Sequence, residues 1–160
     1  MHNDLQFIKD TYGNSSAWDH RFSDKILLVW GGSRKYEKWR LRVARERFGD
    51  TFFFVGDEDD DSWNAERSRF LDGNHYYWSS QNPYSNPHSF EQLQELADEV
   101  RGSGNNADGS KKLWFAPLTP GYNSELLRDG SCVPRRGGKT LRELFDGNSA
   151  SEPDAWTLIS

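Results

Sequence analysis

Short, uninterrupted apolar runs recur along an otherwise polar chain. They fall at 26–30 (ILLVW), 51–55 (TFFFV), 75–78 (HYYW), 113–116 (LWFA) and 156–159 (WTLI). Each run is rich in β-branched or aromatic residues and is closed on both sides by turn formers. Each therefore predicts a strand buried on both faces, as in a parallel sheet. Between the runs, apolar positions recur at helical spacing. Residues 37–48 place Trp39, Val43 and Phe48 near one stripe, and 63–71 is a shorter candidate. Residues 89–100 give the clearest amphipathic signal, with Phe90, Leu93, Leu96, Ala97 and Val100 on one face. Residues 140–145 and, ahead of the first strand, 4–11 complete the set. Residues 102–112 (GSGNNADGSKK) read as a flexible surface connection, and 121–138 as a long excursion after the fourth strand.

The order is thus helix, then strand and helix in alternation, ending on a strand. Strands are spaced by about 25 residues twice and by roughly 40 twice, as βαβ units with inserted loops would be. Two architectures fit: a doubly wound open sheet and part of a (β/α)8 barrel. A complete barrel takes about 250 residues. The last run stops at Ser160 and the chain opens in a helix. The expected fold class is accordingly α/β: a partial (β/α)8 barrel with about five parallel strands and intervening helices, cut at both ends.

Composition changes this picture in four ways. The mean hydropathy of −0.92 resembles that of a disordered chain. Yet 14% of the 160 residues are aromatic, with seven Trp, and disordered chains are poor in aromatics. The formal net charge of −5 disfavours general nucleic-acid binding, which usually needs a basic surface. No apolar run approaches the ~20 residues of a membrane span. Cys132 is the single cysteine, so there is no internal disulfide framework and no Cys-based structural zinc site.

In both architectures ligands bind at the carboxyl ends of the strands. After the first run comes Trp30-Gly31-Gly32-Ser33, and after the second Gly56-Asp57-Glu58. The third ends in Tyr76-Tyr77-Trp78 followed by SSQNP, and the fourth in PLTPGYN. Aromatic faces beside amides, hydroxyls and carboxylates suit a sugar, whose C–H faces stack on rings and whose hydroxyls need polar partners. By type and position, Trp30, Glu58, Tyr77, Trp78, Asn82 and Tyr122 are the candidate substrate-binding residues. The rings would stack, and Glu58 and Asn82 would hold hydroxyls. The plain alternative for any single ring is core packing.

Other signals are weaker. Gly31-Gly32-Ser33 could cradle a phosphate, but the Walker lysine and GxGxxG patterns are both absent. Asp59 to Asp61 read as a solvated helix start. Asp57 and Glu58, adjacent on an extended strand, would face opposite sides. His2, His20, His75 and His88 share no metal-ligand spacing, so no metal and no cofactor is expected.

The stretch DLQFIKDTYGNSSAW with the strand ILLVWGG resembles glycoside hydrolases of the family 99 and family 71 type. So do FFFVGDE, DGNHYYWSSQNP, LWFAPLTPGYN and the ending EPDAWTLIS. Those families are endo-α-mannosidase-like and α-1,3-glucanase-like (β/α)8 enzymes. The resemblance implies that residues 1–160 are a single partial glycoside-hydrolase-like domain, covering the later part of the barrel. It implies a parent enzyme that hydrolyses α-linked glycan of mannan or glucan type, outside the cell or in a secretory lumen. An oligosaccharide or polysaccharide would be its substrate. In such enzymes the catalytic acids lie in and after a Trp-Asn-Glu segment that would begin beyond Ser160. The catalytic residues are therefore unassigned, and the chain alone is expected to be inactive. Two other readings stand beside this one: a non-catalytic glycan-binding or interaction module, and a small nucleotide-binding α/β protein using Gly31–Ser33.

Overall fold

The computed structural model of the chain describes residues 2–18, 24–59, 62–76 and 89–118. It also describes the backbone of three strands at 122–123, 132–133 and 155–159. Helix α1 spans His2–Tyr12, and strand β1 spans Ile26–Val29. A single 3₁₀ turn, Ser33–Lys35, leads to α2 (Lys38–Phe48), β2 (Phe52–Asp57), the short helix α3 (Ala65–Ser68) and β3 (Gly73–His75). Then follow α4 (Ser89–Gly102), β4 (Leu113–Leu118), β5 (Tyr122–Asn123), β6 (Cys132–Val133) and β7 (Ala155–Ile159). The predicted helix at 140–145 lies outside the described residues.

The fold is α/β. Strands β1 to β4 form an all-parallel sheet in chain order, and β7 continues it in parallel beside β4. The excursion after β4 carries a small antiparallel pair, β5 with β6, that alternating hydrophobicity is too short to reveal.

Strand parity sorts the apolar runs onto two faces. Ile26, Phe52, Phe54, Trp114 and Ala116 face one way. They pack with Leu5 of α1, Ala44 and Phe48 of α2, and Leu96, Ala97 and Val100 of α4. Phe53, Val55 and Phe115 face the other way, with Leu27 and Leu113 against them and no described helical residue in the cluster. The described helices therefore cover one face. Each fully buried ring contributes about 2–3 kcal/mol through burial.

Several boundaries shift from the sequence expectation. The predicted stripe of α2 rotates: Leu41, Ala44 and Phe48 are buried, whereas Trp39 is exposed. Those three positions stack at i, i+3 and i+7, and Trp39 sits half a turn away from Leu41. Strand β3 begins upstream of its aromatic run, because Gly73 pairs with both Val55 and Leu113. A Cβ at Gly73 would lie 2.6 Å from the Leu113 carbonyl oxygen, so only glycine lets β3 and β4 approach there.

The connection at 102–112 is pinned by polar contacts. Asn105 and Lys111 form an antiparallel bridge. The buried Asn106 donates Nδ2 to the carbonyls of Asp72 (3.3 Å) and Lys111 (3.2 Å). Lys112 is 2% exposed and donates Nζ to Leu71 O at 2.6 Å and to Asn106 Oδ1 at 3.0 Å. Nearby, Asp72 Oδ2 accepts from Arg45 Nη1 at 2.6 Å and from Phe54 N–H at 2.8 Å. This polar cluster sits at the amino ends of β3 and β4, opposite the end where ligands bind in parallel α/β folds. No described helix is long and apolar enough to cross a membrane.

Candidate functional site

The parallel register brings the carboxyl ends of β1, β2 and β3 side by side. Three consecutive residues after β1 are tied to three consecutive residues closing β2. Gly32 N–H donates to Asp57 Oδ2 at 2.8 Å, Ser33 Oγ to Glu58 Oε1 at 2.6 Å, and Arg34 Nη1 to Asp59 Oδ2 at 3.3 Å. Every rung of this ladder joins positions 25 apart. Ser33 Oγ also accepts from Asp57 N–H at 2.7 Å. The turn requires glycine at position 32, where φ is 71°, in the left-handed region.

Adjacent carboxylates diverge here, as strand parity demands. Glu58 turns toward the helical layer and is fully buried. Its Oε2 accepts from Arg67 Nε, and its Oε1 accepts from Arg67 Nη2, each at 2.9 Å. Its backbone is held by Asn74, whose Oδ1 accepts from Glu58 N–H at 3.0 Å and whose Nδ2 donates to Glu58 O at 2.9 Å. Arg67 also donates to the carbonyls of Tyr36 (2.8 Å) and Ser33 (2.9 Å). It is presented by α3, whose first turn is capped by the Asn64 side chain. A sugar hydroxyl at Glu58 would have to compete with a two-pronged guanidinium contact, which is among the stronger protein hydrogen-bond arrangements.

Asp57 continues the Phe53–Val55 face, away from the helices, and pairs in register with His75. His75 pairs in turn with Phe115. Both side chains of the Asp57–His75 pair are almost closed off, at 5% and 7% exposure. His75 Nδ1 is buried with no hydrogen-bond partner among the described residues. Burial is the main cause that lowers the His75 pKa below its usual 6.5. The Asp57 carboxylate opposes the shift and the Arg34 guanidinium adds to it. The shift favours the neutral form of the imidazole. Arg34 lies over the Tyr76 ring, 5.7 Å from its centre.

Of the six predicted contacts, Trp30 is half-buried and packs on Tyr36 (5.4 Å between ring centres) and Phe54 (6.0 Å). It lines a cleft of about 250 Å³ with Asp4, Leu5, Val29 and Gly31. Tyr77, Trp78 and Asn82 lie outside the described residues. Tyr122 is described only as backbone in β5, opposite Val133. The structure therefore brings Trp30 and Glu58 to one sheet end, with their side chains on the helical side. His75, Arg34 and Arg67 were not singled out as contacts from sequence. The parity of Gly73-Asn74-His75 could have pointed to His75 had the strand been started two residues earlier. Nothing local marks Arg67.

No group of three or more His, Cys, Asp or Glu side chains is disposed for a metal among the described residues. The fold and site together define a parallel α/β sheet domain with a mixed polar and aromatic cluster at the carboxyl ends of its strands. Neither a protein-family model nor a curated protein matches the chain.

Proposed function

We propose that the chain is part of a (β/α)8 protein acting on α-linked glycan of mannan or glucan type, related to the family 99 and family 71 glycoside hydrolases that its sequence resembles. The carrying observation is the sheet order. Strands β1, β2, β3, β4 and β7 follow one another in chain order, all parallel, with the described helices packed on one face. A doubly wound sheet reverses its order and carries helices on both faces. A barrel wall keeps chain order, places its helices outside and reserves the other face for its interior. In this reading Trp30, Tyr77, Trp78, Asn82 and Tyr122 supply sugar contacts, Glu58 braces the loop that presents them, and the protein works outside the cell or in a secretory lumen.

Glycoside hydrolysis generally takes two carboxylates, about 5–10 Å apart. At the described strand ends Glu58 is committed to Arg67, and Asp57 alone of the adjacent pair lies on the face away from the described helices. That observation favours a second reading, glycan binding without turnover. A nucleotide at Gly31–Ser33 has less support, since the Gly32 N–H already points at the Asp57 carboxylate.

The experiment titrates the chain with α-1,3-linked gluco-oligosaccharides and α-linked manno-oligosaccharides by calorimetry, and follows reducing ends in the same samples. Binding with release of reducing ends supports the hydrolase. Binding alone supports the glycan-binding module. No heat and no products with either series would end the glycan reading.

A further inference from the structure

We propose that Asn14, in the exposed turn after α1, is an acceptor for an N-linked oligosaccharide whose first sugar packs on the Phe7–Tyr12 ring pair. The proposal goes beyond the glycan reading of the sheet end. It rests on that reading only for the secretory placement, because such transfer takes place in a secretory lumen.

Four observations carry it. First, Asn14-Ser15-Ser16 is the single Asn-x-Ser/Thr triplet in the 160 residues, and its central residue is not proline. A triplet of this kind offers the amide and the hydroxyl that mark an acceptor. Second, the triplet stands in solvent, as a bulky linked glycan requires. Helix α1 ends at Tyr12, and Asn14, Ser15 and Ser16 are all exposed. Third, the turn is held without the two reacting groups. Gly13 N–H donates to Lys9 O at 2.9 Å, Ser15 N–H to Tyr12 O at 2.9 Å, and Trp18 Nε1 also to Tyr12 O. The Asn14 amide and the Ser16 hydroxyl make no hydrogen bond among the described residues. Asn14 also lines an open cleft of about 450 Å³, where Lys9, Asp10, Asp24 and Asp50 offer polar partners to sugar hydroxyls. Fourth, Phe7 is 59% and Tyr12 50% exposed, and their rings meet edge-on with centres 6.0 Å apart. Tyr12 precedes Asn14 by two residues, so the C–H face of a sugar on Asn14 has an aromatic surface beside it.

The donor is an oligosaccharide linked through a diphosphate to a polyprenol. Asn14 Nδ2 forms a bond to the anomeric carbon, and the bond from that carbon to the diphosphate oxygen breaks. The polyprenyl diphosphate leaves with the bonding pair, and Nδ2 gives up one proton to base. Nothing is oxidised or reduced.

The test expresses the full 160-residue chain behind a cleavable secretory leader in a eukaryotic host. A C-terminal tag with a second acceptor triplet reports entry into the lumen. Peptide mapping by mass spectrometry, before and after treatment with peptide N-glycosidase, reads Asn14. The expected result is a glycan on Asn14 in most chains whose tag is modified, and none in Asn14→Gln or Ser16→Ala. The glycosylated chain should melt about 2–4 °C above the same chain after glycosidase treatment, and Tyr12→Ser should remove that gain. Mapping needs no folded chain, so it decides the acceptor role even if Tyr12→Ser does not fold.

A modified tag beside a bare Asn14 would overturn the acceptor role and leave the glycan reading standing. Modification without a change in melting would overturn the packing on the ring pair. The chain isolated from its own source should carry the glycan too. A bare Asn14 there, with a modified one behind the leader, would keep the acceptor role and remove the secretory placement.

Discussion

Lys112 illustrates how far burial can bend a single residue's chemistry. Its ammonium is enclosed at the amino ends of β3 and β4, where it donates to Leu71 O and Asn106 Oδ1. Burial lowers its pKa from 10.5 to about 8; Asp72 opposes the shift and Arg45 reinforces it. Between those two pH values the unfolded chain holds a proton that the folded chain has released. Folding stability should therefore rise as pH climbs from about 8 towards 10.5, by at most about 3 kcal/mol. Urea unfolding across that window should show the rise in the wild type and lose it in Lys112→Met. That variant should also be less stable at pH 9, because two buried acceptors lose their donor. His75 follows the same sign at lower pH: its protonation as the pH falls below 6.5 favours the unfolded chain.

The element-scale lesson is carried by α3. It has four residues, fewer than any helix could sustain alone. It persists because Asn64 caps it and because Arg67 reaches from it to Glu58 at the end of β2 and to two carbonyls of the loop after β1. One guanidinium thus fastens three elements. Removing one partner of a buried ion pair costs about 3–5 kcal/mol, whereas removing both costs less than the sum. Arg67→Met should accordingly lower the urea midpoint sharply, and Glu58→Gln combined with Arg67→Met should restore part of the loss. Full additivity in that double-mutant cycle would show that the two side chains do not act as a unit.

Elements were also where the sequence was easiest and hardest to read. The runs FFFV and LWFA are apolar at every position because both faces of β2 and β4 are buried, and ILLVW marks β1 by the same apolar letters although only Ile26 of that strand is fully buried, so all three strands were legible. Strand β3 is polar in letters, Gly73-Asn74-His75, since glycine is needed for strand approach and Asn74 bonds to Glu58. The aromatic run behind it drew the expected boundary downstream. The divergence of Asp57 and Glu58 was legible from parity alone. The pairing of Asp57 with His75 was not, because register between strands is set by contacts distant in sequence.

At the scale of the whole molecule, the sheet has unequal margins. Strand β2 lies between two neighbours and is buried along its entire length. Strand β1 lies at the edge of the described sheet, where Val29 is 36% exposed. Amides at Ile26 and Trp30 donate inward to Thr51 O and Val55 O, so the intervening Leu27 and Val29 amides point outward. Amide exchange should be slowest at 53–55, where it requires global opening, and faster by about a hundredfold or more at Leu27 and Val29. Equal protection on both sides of β1 would mean that another strand closes that margin, as a complete barrel wall would.

The ladder between 32–34 and 57–59 also constrains how this chain can drift over generations. Its rungs join two triplets through fixed backbone steps, so a residue gained or lost inside either triplet puts the rungs out of step with one another. A change of length in the turn at 49–51 alters none of them directly. Natural variants should thus vary in length outside the triplets. Exchanges at Ser33, Glu58 and Arg67 should travel together, as compensated sets rather than as single substitutions.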